Sequence, residues 1–126
     1  MTPLSNGNPM TPKDPNLEPQ SLGKHFNEAL ILSALQAGPK HGYQLALDIE
    51  ERSGGRFGFK HGTLYPILHK LEKEGLIEGA WSDEGKRGKR KRYQLTKDGK
   101  LYLRDLKKAW KGFLVTFSEV MGERKS

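Results

Sequence analysis

On a helical projection of residues 62–77 (GTLYPILHKLEKEGLI), Leu64, Leu68 and Leu71 fall at i, i+4 and i+7 and form one apolar stripe. Thr63, Tyr65, Pro66, His69, Lys70 and Lys73 fall off that stripe. They bring hydroxyls, an imidazole and ammonium groups, which is chemistry for hydrogen bonding and for pairing with anions. A second set follows close behind. From Lys86 to Arg92 the chain carries Lys86, Arg87, Lys89, Arg90, Lys91 and Arg92, with no acid among them. Cations this dense suit a phosphate backbone, although a charge run is also the ordinary makeup of a solvated face. A short helix with an apolar back and a polar, basic front is what a groove-reading helix needs, and also what many surface helices look like.

Chemistry of the bond-making kind has no candidate. The four histidines are His25, His41, His61 and His69, and none pairs with another at i+3 or i+4, so no helix-borne metal pair is formed. There are no cysteines, and no nucleophile elbow, phosphate-binding glycine loop or H-E-x-x-H run. The expectation is a non-enzyme with no cofactor and no metal. A net charge of +7 and a pI of about 9.7 point to an anionic partner. No apolar run approaches the ~20 residues of a membrane span, and no secretory signal is visible. A cytoplasmic protein without a membrane partner is expected.

The elements that must position these residues read as follows. Residues 1–22 hold five of the seven prolines (Pro3, Pro9, Pro12, Pro15 and Pro19) and are expected to be a disordered arm. Phe26 to Gln36 and Gly42 to Arg52 read as helices, the first apolar around more than half its circumference. The second ends in Asp48, Glu50 and Glu51, which would repel phosphates. Phe57 and Phe59 alternate around Gly58 in a strand-like piece. The third helix is the opening stretch, with Thr63 as its expected N-cap, Pro66 in its first turn and Gly75 as its stop. Leu76 to Ser82 and Arg90 to Leu95 read as two strands around a basic, Gly-rich turn at 83–89.

Thr96 then caps a helix that runs to about Met121. On it Leu103, Leu106, Trp110, Phe113, Phe117 and Val120 are spaced 3, 4, 3, 4, 3, an a/d seam. Such a helix spans about 39 Å at about 1.5 Å per residue and overhangs a small globule. The partner expected for its seam is the same helix of a second copy. The fold class is therefore mainly α with a small β-hairpin (α+β): a winged helix-turn-helix domain at 23–95 and a C-terminal dimerisation helix with a short tail at 96–126.

With those residues placed, the chain resembles the PadR family of bacterial transcriptional regulators. The matching motifs are His41-Gly42-Tyr43, then Gly62-Thr63-Leu64-Tyr65-Pro66 with Leu68 and Leu71-Glu72, then Gly75-Leu76-Ile77, and finally Tyr93-Gln94-Leu95-Thr96 with Gly99. The resemblance covers about residues 26–121 and is closest to the short members with a single C-terminal helix. It implies a homodimeric, usually repressing protein that binds double-stranded DNA at a pseudo-palindromic promoter site. The third helix would enter the major groove, with Tyr65 as the groove-facing tyrosine and Thr63, His69, Lys70 and Lys73 on the same face. The wing, with Lys86, Arg87, Lys89, Arg90 and Arg92, would lie along the minor groove or backbone. Trp110 matches a position that lines a small-molecule effector site in some members, with Leu106 and Phe113 around it. The chain departs from the family at Phe59-Lys60-His61, where many relatives carry a serine or proline before the Gly-Thr pair. Two readings from other classes stand beside this one: a winged helix that docks an acidic protein, and a DNA-coating protein indifferent to sequence.

Overall fold

The computed structural model describes residues 22–82 and 90–123, and of His61 the backbone alone. The elements are α1 (Phe26–Leu35), β1 (Lys40–His41), α2 (Gly42–Arg52), α3 (His61–Lys73), β2 (Ile77–Ser82), β3 (Arg90–Leu95) and α4 (Lys97–Met121). A turn of 3-10 helix, Gly23–His25, precedes α1. The expected arm lies outside the described residues except for Leu22, which is 1% exposed and part of the core. The chain is mainly helical with a three-stranded antiparallel sheet in the order β1-β3-β2.

The hairpin pairs Ile77 with Leu95 and Ser82 with Arg90, so Ile77, Gly79, Trp81, Lys91, Tyr93 and Leu95 share one face. Its inner end, with Ile77, Tyr93 and Leu95, joins the core, while Trp81 is left exposed. The third strand is a correction to the sequence reading. Residues 57–60 form no strand; instead Lys40 and His41 pair with Tyr93 and Arg92 of β3. Two residues after Gly38-Pro39 have no period to read, so only the pairing makes them a strand. Phe57 packs edge-on against Phe26 at 5.0 Å, and Phe59 is packed against the core.

The core is built from Ile31, Leu32 and Leu35 of α1, Leu45 and Ile49 of α2, Leu64, Leu68 and Leu71 of α3, and Leu103 and Leu106 of α4. The start of α3 also differs from the expected one. Lys60 is its N-cap, without a side-chain cap bond, and Thr63 lies inside the first turn. The Lys60 carbonyl accepts from Thr63 N at 2.9 Å and Leu64 N at 3.0 Å. Pro66 is therefore inside the helix, and the donor it lacks would have gone to the carbonyl of exposed Gly62, which water can satisfy. Gly75, at φ +80, ends α3: Leu76 N bonds to Leu71 O and Gly75 N to Glu72 O, both 3.0 Å, a Schellman closure that needs a left-handed residue. Thr96 joins this corner to α4. Its hydroxyl donates to Gly75 O (2.6 Å) and accepts from Gly99 N (2.9 Å), the expected N-cap.

Candidate nucleic-acid interface

Successive residues of α3 are rotated by about 100°, so the core stripe Leu64, Leu68, Leu71 faces away from Gly62, Pro66, His69 and Lys73. All four of these are exposed. They form a row along the helix with no apolar side chain larger than proline. Lys73 has no ion-pair partner among the described residues.

The two flanks of α3 are occupied. On one, with exposed Thr63, Lys70 Nζ lies 3.6 Å from Glu28 Oε2 and 4.0 Å from Glu74 Oε2. Glu28 belongs to α1 and is 7% exposed. Its Oε1 accepts from the Tyr102 hydroxyl at 2.8 Å and lies 3.0 Å from His25 Nδ1. Burial, then the Glu28 bond, pushes the Tyr102 phenol well above its usual range. Burial also raises the Glu74 carboxyl, with Lys70 opposing. Lys70 is thus exposed but already shares its charge with two carboxylates.

On the other flank, Tyr65 is half-buried against the start of α2. A Cβ built on Gly42 would lie 2.7 Å from Tyr65 Cζ and 2.9 Å from its Cε1. Only a glycine lets the phenol ring lie there. Two turns further along this flank, Glu72 Oε1 accepts from Lys91 Nζ at 2.8 Å, tying α3 to β3. That bond raises the Lys91 pKa despite some desolvation. The Lys91 ammonium also lies 5.6 Å from the Trp81 ring and 5.5 Å from the Tyr93 ring.

Of the wing cations, Lys86, Arg87 and Lys89 lie outside the described residues. Arg90 is exposed at the hairpin's outer end, its Nη1 3.3 Å from Tyr43 Oη and its guanidinium 5.4 Å over the Tyr43 ring. Arg92 is half-buried, opposite Ala80 and His41. Arg90, Lys91 and the row on α3 are thus held on one framework by α2 and α3 contacts. The residues missed from sequence are Gly62 in the exposed row, Glu72 as the tie to the hairpin, Glu28 behind Lys70, and the exposed rings of Tyr43 (51%) and Trp81 (65%). An acid inside the apolar α1 run was the one local signal for Glu28.

The seam on α4 divides. Leu103 (1%) and Leu106 (0%), expected at a dimer interface, are buried in this chain's own core, because α4 packs on α1 over its first turns. Trp110 and Phe113 are half-buried, in an aromatic row: Phe26–Trp110 at 6.1 Å, Trp110–Phe113 at 5.5 Å, Phe113–Phe117 at 5.9 Å. Trp110 Nε1 is buried without a hydrogen-bond partner among the described residues. Beyond it, Leu114 (54%), Val115 (60%), Phe117 (51%), Val120 (82%) and Met121 (59%) are exposed.

Among the described residues no group of His, Asp or Glu is placed to hold a metal, and no helix is long and apolar enough to cross a membrane. The "Transcriptional regulator PadR-like family" matches at residues 31–105. The negative transcriptional regulator PadR of Bacillus subtilis (strain 168) is 36% identical over 75 residues, 60% of this chain and 41% of that protein's length. The chain thus spans less than half of that relative. The crystal structure of Bacillus subtilis PadR in complex with operator DNA superposes with a TM-score of 0.59 at 34% identity, covering 64% of this chain and 44% of that one. A PadR family transcription regulator from Clostridium difficile R20291 superposes with a TM-score of 0.67 at 30% identity, covering 76% of this chain and 98% of that one. The family match spans α1 from Ile31 through the buried first turns of α4 and so includes α3, the sheet and the Glu72–Lys91 tie, and this chain belongs to the PadR-like family of transcriptional regulators.

Proposed function

We propose that the protein is a cytoplasmic repressor that binds a pseudo-palindromic operator as a homodimer. The α3 of each protomer enters a major groove, and the basic hairpin follows the adjacent backbone or minor groove. The observation that carries this reading is the exposed row Gly62, Pro66, His69, Lys73 beside a cationic hairpin that Lys91 and Glu72 tie to the same helix. Tyr65, His69 and Thr63 contact base edges; Lys73, Lys86, Arg87, Lys89, Arg90 and Arg92 contact phosphates, and Lys70 does so more weakly. Repression is supported by the Bacillus subtilis relative, a negative regulator.

Dimerisation uses the distal half of α4, where Phe117, Val120 and their exposed neighbours form a stripe that water covers in a single chain. Trp110 and Phe113 form the inner rim of that interface. A small aromatic or hydrophobic effector would sit there, where the buried Trp110 Nε1–H finds no acceptor among the described residues, with Leu106 behind it. Its binding would change the angle between protomers and so the spacing of the two α3 helices.

The test is fluorescence anisotropy of a labelled duplex from upstream of the protein's own gene, with a shuffled duplex as competitor, at two salt concentrations. A competitor-resistant complex with a preference of about a thousandfold or more is expected. Equal affinity for both duplexes would replace the reading with a DNA-coating protein, and no binding to either would replace it with a protein-docking module.

A further inference from the structure

Of the run His41-Gly42-Tyr43, two members have clear roles in the fold. His41 is buried and pairs with Arg92 in the sheet, and Gly42 lies under the Tyr65 ring. Tyr43 is exposed. Its phenol runs nearly parallel to the His41 imidazole, with an interplanar angle of 4° and centroids 6.2 Å apart. That imidazole is itself fixed. His41 Nδ1 lies 3.3 Å from the Lys91 carbonyl, and His41 N donates to Gln44 Oε1 at 2.8 Å. The Tyr43 ring therefore stands on a rigid base. Arg90, the first residue of β3, meets that ring twice. Its Nη1 donates to Tyr43 Oη at 3.3 Å, and its guanidinium carbon lies 5.4 Å from the ring centroid.

Lys70 and Lys91 are held differently, by acids: Lys70 by Glu28 and Glu74, Lys91 by Glu72. A carboxylate that fixes a cation also offsets its charge. Among the described residues no carboxylate pairs with Arg90. A phenol orients a guanidinium through its ring face and its oxygen and leaves the positive charge whole.

We infer that Tyr43 is a positioning residue for DNA binding: it holds the Arg90 guanidinium ready, beside the point where α2 meets α3, for the phosphate contact proposed above. This rests on the DNA-binding reading and deepens it. A long side chain that orders only on docking loses rotamer freedom, which lowers affinity roughly three- to tenfold. Tyr43 shifts that loss to folding. One N–H of Arg90 serves the phenol, and the rest of its fork is presented to a phosphate. The contact positions without reading sequence, so it acts on any duplex.

The full-length parent, Tyr43→Ala, Arg90→Ala and the double variant are titrated by anisotropy against the upstream and shuffled duplexes across a salt series. Tyr43→Ala is expected to weaken binding to both duplexes roughly three- to tenfold with an unchanged salt slope, because Arg90 still reaches its phosphate once bound. Arg90→Ala should weaken both and flatten the slope by up to about 0.9. In that background Tyr43→Ala should cost nothing more. Tyr43→Phe, which keeps the ring face and loses the oxygen, should recover part of the loss. In the free protein, the heteronuclear NOE of the Arg90 Nε–H, assigned through Arg90→Lys, should report a rigid group in the parent and a mobile one in Tyr43→Ala. A Tyr43→Ala loss that persists in full in the Arg90→Ala background overturns the assignment, since the ring then acts by its own contact or through the fold. So does a Tyr43→Ala protein that binds like the parent, or an Arg90 equally mobile in both proteins. Each of these leaves the DNA-binding reading standing. Absence of binding to any duplex overturns both.

Discussion

The Tyr65 ring of α3 lies directly over the α-carbon of Gly42 at the start of α2, so close that a methyl there would sit 2.7 Å from Tyr65 Cζ. The two residues belong to separate motifs 23 positions apart, and each explains the other. Gly42→Ala should cost about 1–3 kcal/mol by overpacking. In a Tyr65→Ala background the same change should cost nothing or be slightly stabilising, since alanine is the better helix former by about 1 kcal/mol. Urea melts of the four proteins measure this coupling. Equal costs in both backgrounds would mean that the ring is not what excludes a side chain at Gly42.

Lys70 and Lys73 look equivalent in sequence but not in the fold. Lys70 faces Glu28 and Glu74, whereas Lys73 has no ion-pair partner among the described residues. Lys73→Ala should weaken operator binding and flatten the salt slope by up to about 0.9. Lys70→Ala should change both less. Anisotropy titrations across a salt series distinguish them, and a larger effect at Lys70 would contradict the assignment.

The buried Tyr102–Glu28 bond gives stability an alkaline limit. Burial and the bond to Glu28 hold the Tyr102 phenol above its ordinary pKa, and the Glu72 bond raises Lys91. Where the folded pKa exceeds the unfolded one, the native state keeps a proton that the unfolded chain has lost. This contribution is therefore whole below about pH 10 and declines as pH rises past it. Tyr102→Phe should cost about 1–2 kcal/mol at pH 7 by removing the hydrogen bond, and should make the loss of stability between pH 9 and 11 shallower. Urea melts over that range give both numbers.

Position along α4 decides what a substitution does. Leu106→Ala should destabilise the single chain by about 2–5 kcal/mol, because the side chain is fully buried in its own core. Phe117→Asp or Val120→Asp should leave the protomer folded and shift sedimentation from dimer to monomer, with loss of operator binding. A stable dimer carrying both aspartates would rule out the distal stripe as the interface.

Local signals carried most of the framework. The stripe of Leu64, Leu68 and Leu71, the cap at Thr96, the stop at Gly75 and the exact span of β3 all depend on residues within one turn or one pleat of each other. Composition likewise indicated an anionic partner. Where a local rule met a near-tie it failed. Thr63 is a better cap by residue type than Lys60, yet the chain enters helix at His61, and Phe57 with Phe59 alternates like a strand yet meets no strand edge.

By itself, then, the sequence determined the order of the four helices and of the two hairpin strands, the stop of α3 at Gly75, the cap of α4 at Thr96 and the run of cations, because periodicity, capping and charge are properties of neighbouring residues. Tertiary structure alone decided which members of each set are available. It paired Lys40 and His41 with β3, sank Leu103 and Leu106 into the core while leaving Phe117 and Val120 outside, engaged Lys70 with Glu28 and Lys91 with Glu72, and left Trp81 open. Each of these depends on contacts between residues far apart in the chain, and a seam or a cation run has the same spacing whether its partner is its own domain, DNA or a second copy.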